Sequence, residues 1–305
     1  MKTLCTINEF ANNLKEALAS RLPEHEVTVY PVLQNNGISK FGLQAKKEDQ
    51  DCVPTFYLEM SYNNYLKGKP FNIIVESFVS TILEGSEVPE YAKNIGDNLV
   101  TWDYVKERII MNLINAESNA ELLRDIPHTI KEDLAITYRV LYESTSEGMV
   151  SSLVTNTLMS EWNNVTLEDI HAAATENTRK LLPAKVQSMQ EVLYEMCAPM
   201  LAVTEMESIP DEEMMYVISN ETKTNGAVTI FYDGVLKNIA EKIGSDLYII
   251  PSSVHECLAV SRNTIPAENL TAMIQDVNIS QVELEEQLSD HAYIYLKDED
   301  KIIAA

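Results

Sequence analysis

Residues 225–260 read NGAVTIFYDGVLKNIAEKIGSDLYIIPSSVHECLAV. Two runs of β-branched and aromatic residues flank an amphipathic stretch, and the period switches from two to 3.6 and back. Asn225-Gly226 is a tight-turn signal, so "AVTIFY" (227–232) is expected to pair with "MMYVIS" (214–219) as a hairpin. Val235, Ile239 and Ile243 recur at helical spacing, and Gly244 can end that helix. "DLYII" and "CLAV" then form a second hairpin, expected to turn at Pro251–Ser253. Working outward, Thr264 is placed to cap a helix led by Pro266, and "HAYIYLKDEDKIIA" (291–304) makes a last hairpin. The order ββ-α-ββ-α-ββ points to an α+β fold of mostly antiparallel sheet with helices packed on one face.

The preceding chain continues this pattern. Thr6 and Glu9 have capping-box spacing ahead of Ile7, Phe10, Leu14 and Leu18. "EVTVYPVLQNNGISKFGLQA" (26–45) reads as a hairpin around Asn35-Asn36-Gly37, and "VPTFYLEM" (53–60) as a third strand. Pro70 opens a helix whose apolar stripe is Phe71, Ile74, Val75, Phe78, Val79 and Ile82. Residues 84–103 are polar, Gly/Pro-punctuated and aperiodic. Strands are expected in 105–115, 132–143 and 148–156, with a short helix near Ala116–Arg124. Helices are expected from Thr166 to about Lys180 and over "VQSMQEVLYEM" (186–196). The acidic, aperiodic 204–214 suggests a boundary. The expected domains are therefore 1–205, with a subdivision near 84–103, and 212–305.

Asp and Glu number 47 against 23 Lys and Arg, a formal net charge of −24. Such a surface repels phosphate backbones and anionic lipids, so neither direct nucleic-acid nor membrane binding is expected. The four cysteines, Cys5, Cys52, Cys197 and Cys257, are scattered without metal-ligand spacing, which suits a reducing compartment. The opening residues carry Glu9 and Glu16 and lack a continuous apolar run, so no secretory leader is expected. These features together predict a cytoplasmic protein.

Residue types capable of chemistry are few. No G-x-G-x-x-G, P-loop, H-E-x-x-H or G-x-S-x-G motif occurs, and no cofactor is expected. The adjacent His255 and Glu256 attract attention first. On a regular strand, neighbours point to opposite faces, and His255 shares its face with Cys257 at a separation of roughly 7 Å, too far for direct proton transfer. Both members of the doublet are therefore expected to be structural. His128 and His291 stand at loop-to-strand junctions. With His255 or Glu256 they are the candidates for a His/carboxylate metal site. The sequence assigns no catalytic residue. The aromatic cluster Phe56, Tyr57, Tyr62 and Tyr65 lacks flanking cations and is expected to pack in a core or at an interface.

Four segments carry a resemblance to a known family: "IPHTIKEDLAITY" (126–138), "SEWNNVTLEDIHAAATENT" (160–178), residues 225–260 quoted above, and "LSDHAYIY" (288–295). In these segments and their order the chain resembles domain-of-unknown-function family 5688, found mainly in anaerobic Gram-positive gut bacteria. Cys257 stands where the family pattern has an aliphatic residue, so no shared thiol chemistry is implied. The resemblance implies a cytoplasmic bacterial protein and assigns no activity, cofactor or catalytic residue. The functional expectation is a non-enzymatic protein that binds another protein through exposed sheet or its acidic face. The alternative is a metal-dependent hydrolase using His128, His255, Glu256 and His291. A third reading is an acidic nucleic-acid mimic that binds a basic protein. The sequence leaves the oligomeric state open.

Overall fold

The computed structural model describes residues 5–48, 50, 53–84, 95–145, 148–197, 209–264 and 266–305. It divides between Val100 and Thr101 into two compact units. The fold is α+β with antiparallel sheets throughout.

In the first unit, helix α1 (Ile7–Arg21) begins with the capping box of Thr6 and Glu9. Strands β1 (Glu26–Leu33) and β2 (Ser39–Lys46) pair across a turn in which Asn36 and Gly37 both take positive φ. The third strand is only two residues, β3 (Phe56–Tyr57), before the chain turns into helix α2 (Glu59–Leu66). Helices α3 (Phe71–Glu84) and α4 (Ile95–Leu99) follow. Phe10, Leu14 and Leu18 of α1, Leu43 of β2, and Ile74 and Val75 of α3 form one core. The Phe10 ring lies 5.4–5.9 Å from the rings of Tyr62, Tyr65 and Phe71. Tyr62, Tyr65 and Phe56 therefore serve packing, as expected, and only Tyr57 of that cluster is exposed.

The second unit opens with helix α5 (Trp102–Val105) and strand β4 (Ile109–Asn115). The helix expected at 116–124 is a three-residue 3-10 turn, Leu122–Arg124. Strands β5 (His128–Lys131), β6 (Leu134–Thr145) and β7 (Gly148–Leu153) join β4 in a four-stranded sheet in which β6 contacts all three others. Short helix α6 (Asn156–Glu161) precedes α7 (Leu167–Leu181), which starts with a Thr166/Asp169 capping box. On α7, Thr178 accepts a hydrogen bond from the Met111 backbone N–H at 2.8 Å, which ties the helix to β4.

A six-stranded sheet follows, ordered β13-β12-β10-β11-β9-β8. Its strands are β8 (Ala184–Ser188), β9 (Tyr216–Asn220), β10 (Leu247–Ser253), β11 (Glu256–Ser261), β12 (Tyr293–Leu296) and β13 (Lys301–Ala304). Its helices are α8 (Met189–Cys197), α9 (Val235–Ile243), which ends at Gly244 (φ +82°), and α10 (Ala267–Gln281). Leu270 and Ile274 of α10 pack on Tyr248, Ile250, Val260 and Ile294 of the sheet. Because β8 pairs with β9, the chain on either side of 204–214 shares one sheet, whereas the division at Val100/Thr101 falls inside 84–103. Residues 85–94, 146–147 and 198–208 of the expected loops lie outside the described residues.

Three local expectations give way to tertiary structure. "AVTIFY" is not a strand, since Gly226–Phe231 form a 3-10 helix with Gly226 to Ile230 all buried. It touches β9 and β11 of one sheet and β4 of the other, so burial is continuous rather than alternating. A Cβ on Gly226 would come within 2.7 Å of the Asn220 nitrogen and the His255 oxygen, a proximity only glycine tolerates. The expected helix 186–196 starts three residues late, because Ser188 and Glu191 cap α8 reciprocally and leave Val186–Ser188 to β8. Thr264 does not cap α10; its hydroxyl donates to the Ser261 carbonyl at 2.6 Å.

Candidate functional site

The doublet His255–Glu256 is split by the hairpin turn. Ser253 pairs with Glu256 after a bulge beyond Pro251, so Val254 and His255 form the turn in place of Pro251–Ser253. The even alternation expected over 253–260 thus begins only at Glu256. His255 Nδ1 accepts from the Asn225 N–H at 3.0 Å, and Nε2 lies 3.5 Å from Glu286. Its own N–H donates to Ser253 Oγ, and its carbonyl accepts from Ser219 Oγ at 2.8 Å. Glu256 accepts from Ser252 Oγ at 3.4 Å. The imidazole and the carboxylate therefore face different partners. Cys257 is buried, and desolvation, with a smaller contribution from the Glu256 charge, pushes its thiol far above the ordinary range. A thiol held protonated in this way is a poor nucleophile.

His128, at the start of β5, sets Nδ1 2.9 Å from the Ile126 carbonyl. His291 lies just ahead of β12. Its Nδ1 is 2.8 Å from the Ala292 carbonyl, and its Nε2 is 3.1 Å from Asp133 Oδ2. With an acceptor at each ring nitrogen, the doubly protonated imidazolium is favoured. Chiefly the Asp133 hydrogen bond raises its pKa above the ordinary value, against the effect of burial. Burial alone would raise Asp133, but the hydrogen bonds from His291 and Tyr293 outweigh it and hold the carboxyl below its usual range. Tyr293 donates to Asp133 Oδ1 at 2.7 Å, and Asn115 Nδ2 lies 3.3 Å from Oδ2. Asp133 sits in the β5–β6 turn, and His291 and Tyr293 belong to the β12 segment. The cluster therefore joins the two sheets of the second unit.

His171 of α7 sets Nδ1 2.9 Å from the hydroxyl of fully buried Tyr138, which lies 2.8 Å from Thr129 Oγ1. Desolvation, then the charge of Lys131, lowers the His171 pKa, so its neutral form is favoured. His128, His255, Glu256 and His291, the four metal candidates, each have a separate local partner. Among the described residues no group of three or more His, Cys, Asp or Glu is placed to hold a metal ion.

A cleft of about 390 Å³ opens beside the Asp133 cluster, where the β5–β6 turn, the segment 230–236 and the β12–β13 hairpin meet. Exposed Ile130 and buried Tyr293, Tyr295 and Leu134 line it, and Lys131, Glu132, Asp233, Asp300 and Lys301 supply charge. Asp233 pairs with Arg179 at 2.5 Å, and Asp300 accepts from the Tyr295 hydroxyl at 2.6 Å. Tyr232 turns its hydroxyl away from solvent to the Leu182 carbonyl at 3.1 Å, and burial pushes its pKa up to about 12. None of Asp133, Tyr293, Lys131 and Lys301 stood out in the sequence. Asp133 and His291 are 158 positions apart and no spacing motif links them.

A second surface lies at the far edge of the six-stranded sheet. Among the described residues β8 pairs only with β9, and α8 follows it directly. Leu193, Tyr194 and Met196 on α8 are 46%, 55% and 73% exposed. Among the described residues no helix is long and apolar enough to cross a membrane. Nothing among the curated proteins or the solved structures matches the chain. Residues 7–297 match the sequence model of the family of unknown function DUF5688, nearly the whole chain, and the protein belongs to that family.

Proposed function

We propose that this is a non-enzymatic bacterial protein of the cytoplasm that binds another protein through the surface formed by α8 and the edge strand β8. The reading rests on the apolar half of α8. Leu193, Tyr194 and Met196 fall within one half of the helix circumference and stay in solvent. Contiguous exposed side chains of this size are characteristic of interaction surfaces. Next to them β8, which among the described residues pairs only with β9, offers an edge that a partner strand or loop can engage. The excess of 47 acidic over 23 basic residues favours a partner with a basic face, which also covers mimicry of nucleic acid.

The histidines support a non-enzymatic role. His171, His255 and His291 hold other segments in place, and His128 is bonded to its own strand entry. A hydrolase reading, with metal held by His128, His255, Glu256 and His291, would require these side chains to leave their present partners. Affinity capture with the wild-type chain and a Leu193→Glu/Met196→Glu variant, repeated at rising salt, tests the proposal. The expected result is a partner that the wild type retains, salt weakens and the variant loses while keeping native circular dichroism. Recovery of the same proteins by both, or of none by either, would rule the surface out.

A further inference from the structure

In an antiparallel pair, residues that exchange hydrogen bonds with the neighbouring strand alternate with residues whose backbone groups point away from it. At the two ends of β8, the Met189 N–H donates to the Met215 carbonyl at 2.8 Å and the Glu221 N–H to the Pro183 carbonyl at 3.1 Å. With the register of β8 on β9, the odd-numbered residues therefore bond β9, and Ala184, Val186 and Ser188 turn N–H and C=O outward. The Ser188 N–H is already given to the Glu191 carboxylate at 2.7 Å. The edge thus presents donors at Ala184 and Val186 and acceptors at Ala184, Val186 and Ser188. Charge is sparse here. Between Ala184 and Cys197 the only charged residues are Lys185, Glu191 and Glu195, in a chain of net charge −24. Two copies meet less repulsion at this edge than across the acidic remainder.

We propose that β8 pairs antiparallel with β8 of a second copy of this chain, across a two-fold axis at Val186, and joins the two six-stranded sheets into one. This rests on the α8–β8 reading above and names the occupant of its strand edge, leaving the apolar half of α8 to another protein. In this register Val186 exchanges hydrogen bonds with its counterpart, and each Ala184 N–H meets a Ser188 carbonyl. Every outward donor finds an acceptor, and the engaged Ser188 N–H is not called on. An axis at Lys185 would set two ammonium groups opposite each other, and an axis at Gln187 would call on the Ser188 N–H. Around Val186, Lys185 instead lies opposite Gln187 of the second copy. Glu195, 2.7 Å from Gln187 Nε2 and 3.7 Å from Lys185 Nζ in its own chain, then has a lysine of each copy beside it. On the other face Val186, 38% exposed, is covered by its counterpart.

Sedimentation velocity of the full chain over a concentration series, at low and raised salt, tests the pairing. The expected result is a dimer that tightens as salt rises, because screening relieves the repulsion between two acidic chains, whereas capture of a basic partner weakens. Val186→Pro removes an outward N–H without breaking a bond to β9, and Val186→Lys sets two ammonium groups at the axis. Each is expected to weaken the dimer by about tenfold or more and to keep native circular dichroism. A chain that stays monomeric at every concentration, or a dimer indifferent to both changes, would overturn the pairing and leave the edge to some other partner. Neither variant alters Leu193 or Met196, so the capture assay still decides the α8 reading on its own.

Discussion

Replacing Asp133 by Asn should weaken the join between the two sheets of the second unit, and the loss should depend on pH. The carboxylate accepts from Tyr293 at 2.7 Å and from His291 at 3.1 Å. Hydrogen bonds to a charged group contribute about 1.5–3 kcal/mol each. The Asn oxygen keeps a neutral bond with Tyr293, but the new NH₂ faces His291 Nε2, so the charge-assisted bond is lost and at most a neutral one, with Nε2 accepting, replaces it. The side chains of His291 and Asp133 are 30% and 34% exposed, and solvent screening reduces the loss. About 2 kcal/mol remains, or a fall in Tm of about 4–8 °C for a unit of this size. The sign with pH follows from the two shifts. His291 is raised above 6.5, so its contribution is complete below that pH and fades as pH climbs through the folded value. Asp133 is lowered below 3.8, so its contribution is present above that pH and fades as pH falls through the folded value. The titratable neighbours of the imidazole are Asp133, Asp290 and Tyr293. The wild-type lead over Asp133→Asn should therefore be largest in mildly acidic solution and shrink as pH climbs through the raised His291 value. Trp102 and Trp162, the two tryptophans of the chain, have ring centroids 5.2 Å apart in this unit, so fluorescence in a urea titration reports on it directly. A difference under about 0.5 kcal/mol at pH 6, or parallel pH profiles for the two proteins, would refute the reasoning.

Gly226→Ala should cost about 3 kcal/mol, because the added Cβ meets backbone atoms of Asn220 and His255 at 2.7 Å, and neither β9 nor the β10–β11 turn can yield cheaply. A thermal melt within about 1 °C of wild type would contradict that packing. Cys257 should resist iodoacetamide at pH 8 in the folded chain and react only after denaturation, which peptide mass spectrometry can follow. Rapid native labelling would show that the β11 thiol is not enclosed.

Elements governed by neighbours in sequence were legible in the residues. Thr6/Glu9 and Thr166/Asp169 mark the starts of α1 and α7, Asn36-Gly37 marks the first hairpin, and the Phe71–Ile82 stripe marks the buried face of α3. Ser188-x-x-Glu191 carried the same kind of signal for the start of α8, but it lay inside an amphipathic run whose overall period pointed to one longer helix. "AVTIFY" has strand composition yet forms a buried 3-10 helix, packed against β9, β11 and β4, whose contacts the sequence does not mark. The candidate sites were less legible. His255 reads as a strand residue until the bulge after Pro251 moves it into the turn. Asp133 has no local mark at all, although the segments it joins, 126–138 and 288–295, are two of those that carry the family resemblance.

From the sequence alone come the α+β class, the antiparallel hairpins, most helix starts and the acidic character, each of which depends on periodicity, capping or composition, and the family, which rests on the resemblance of four segments. Tertiary structure decided that the chain on both sides of 204–214 enters one sheet, that His291 is engaged by Asp133, and that Lys131 and Lys301 border one cleft. Those outcomes depend on which strands pair across more than a hundred residues, and hydrogen bonding between distant backbones leaves no period in the sequence to read.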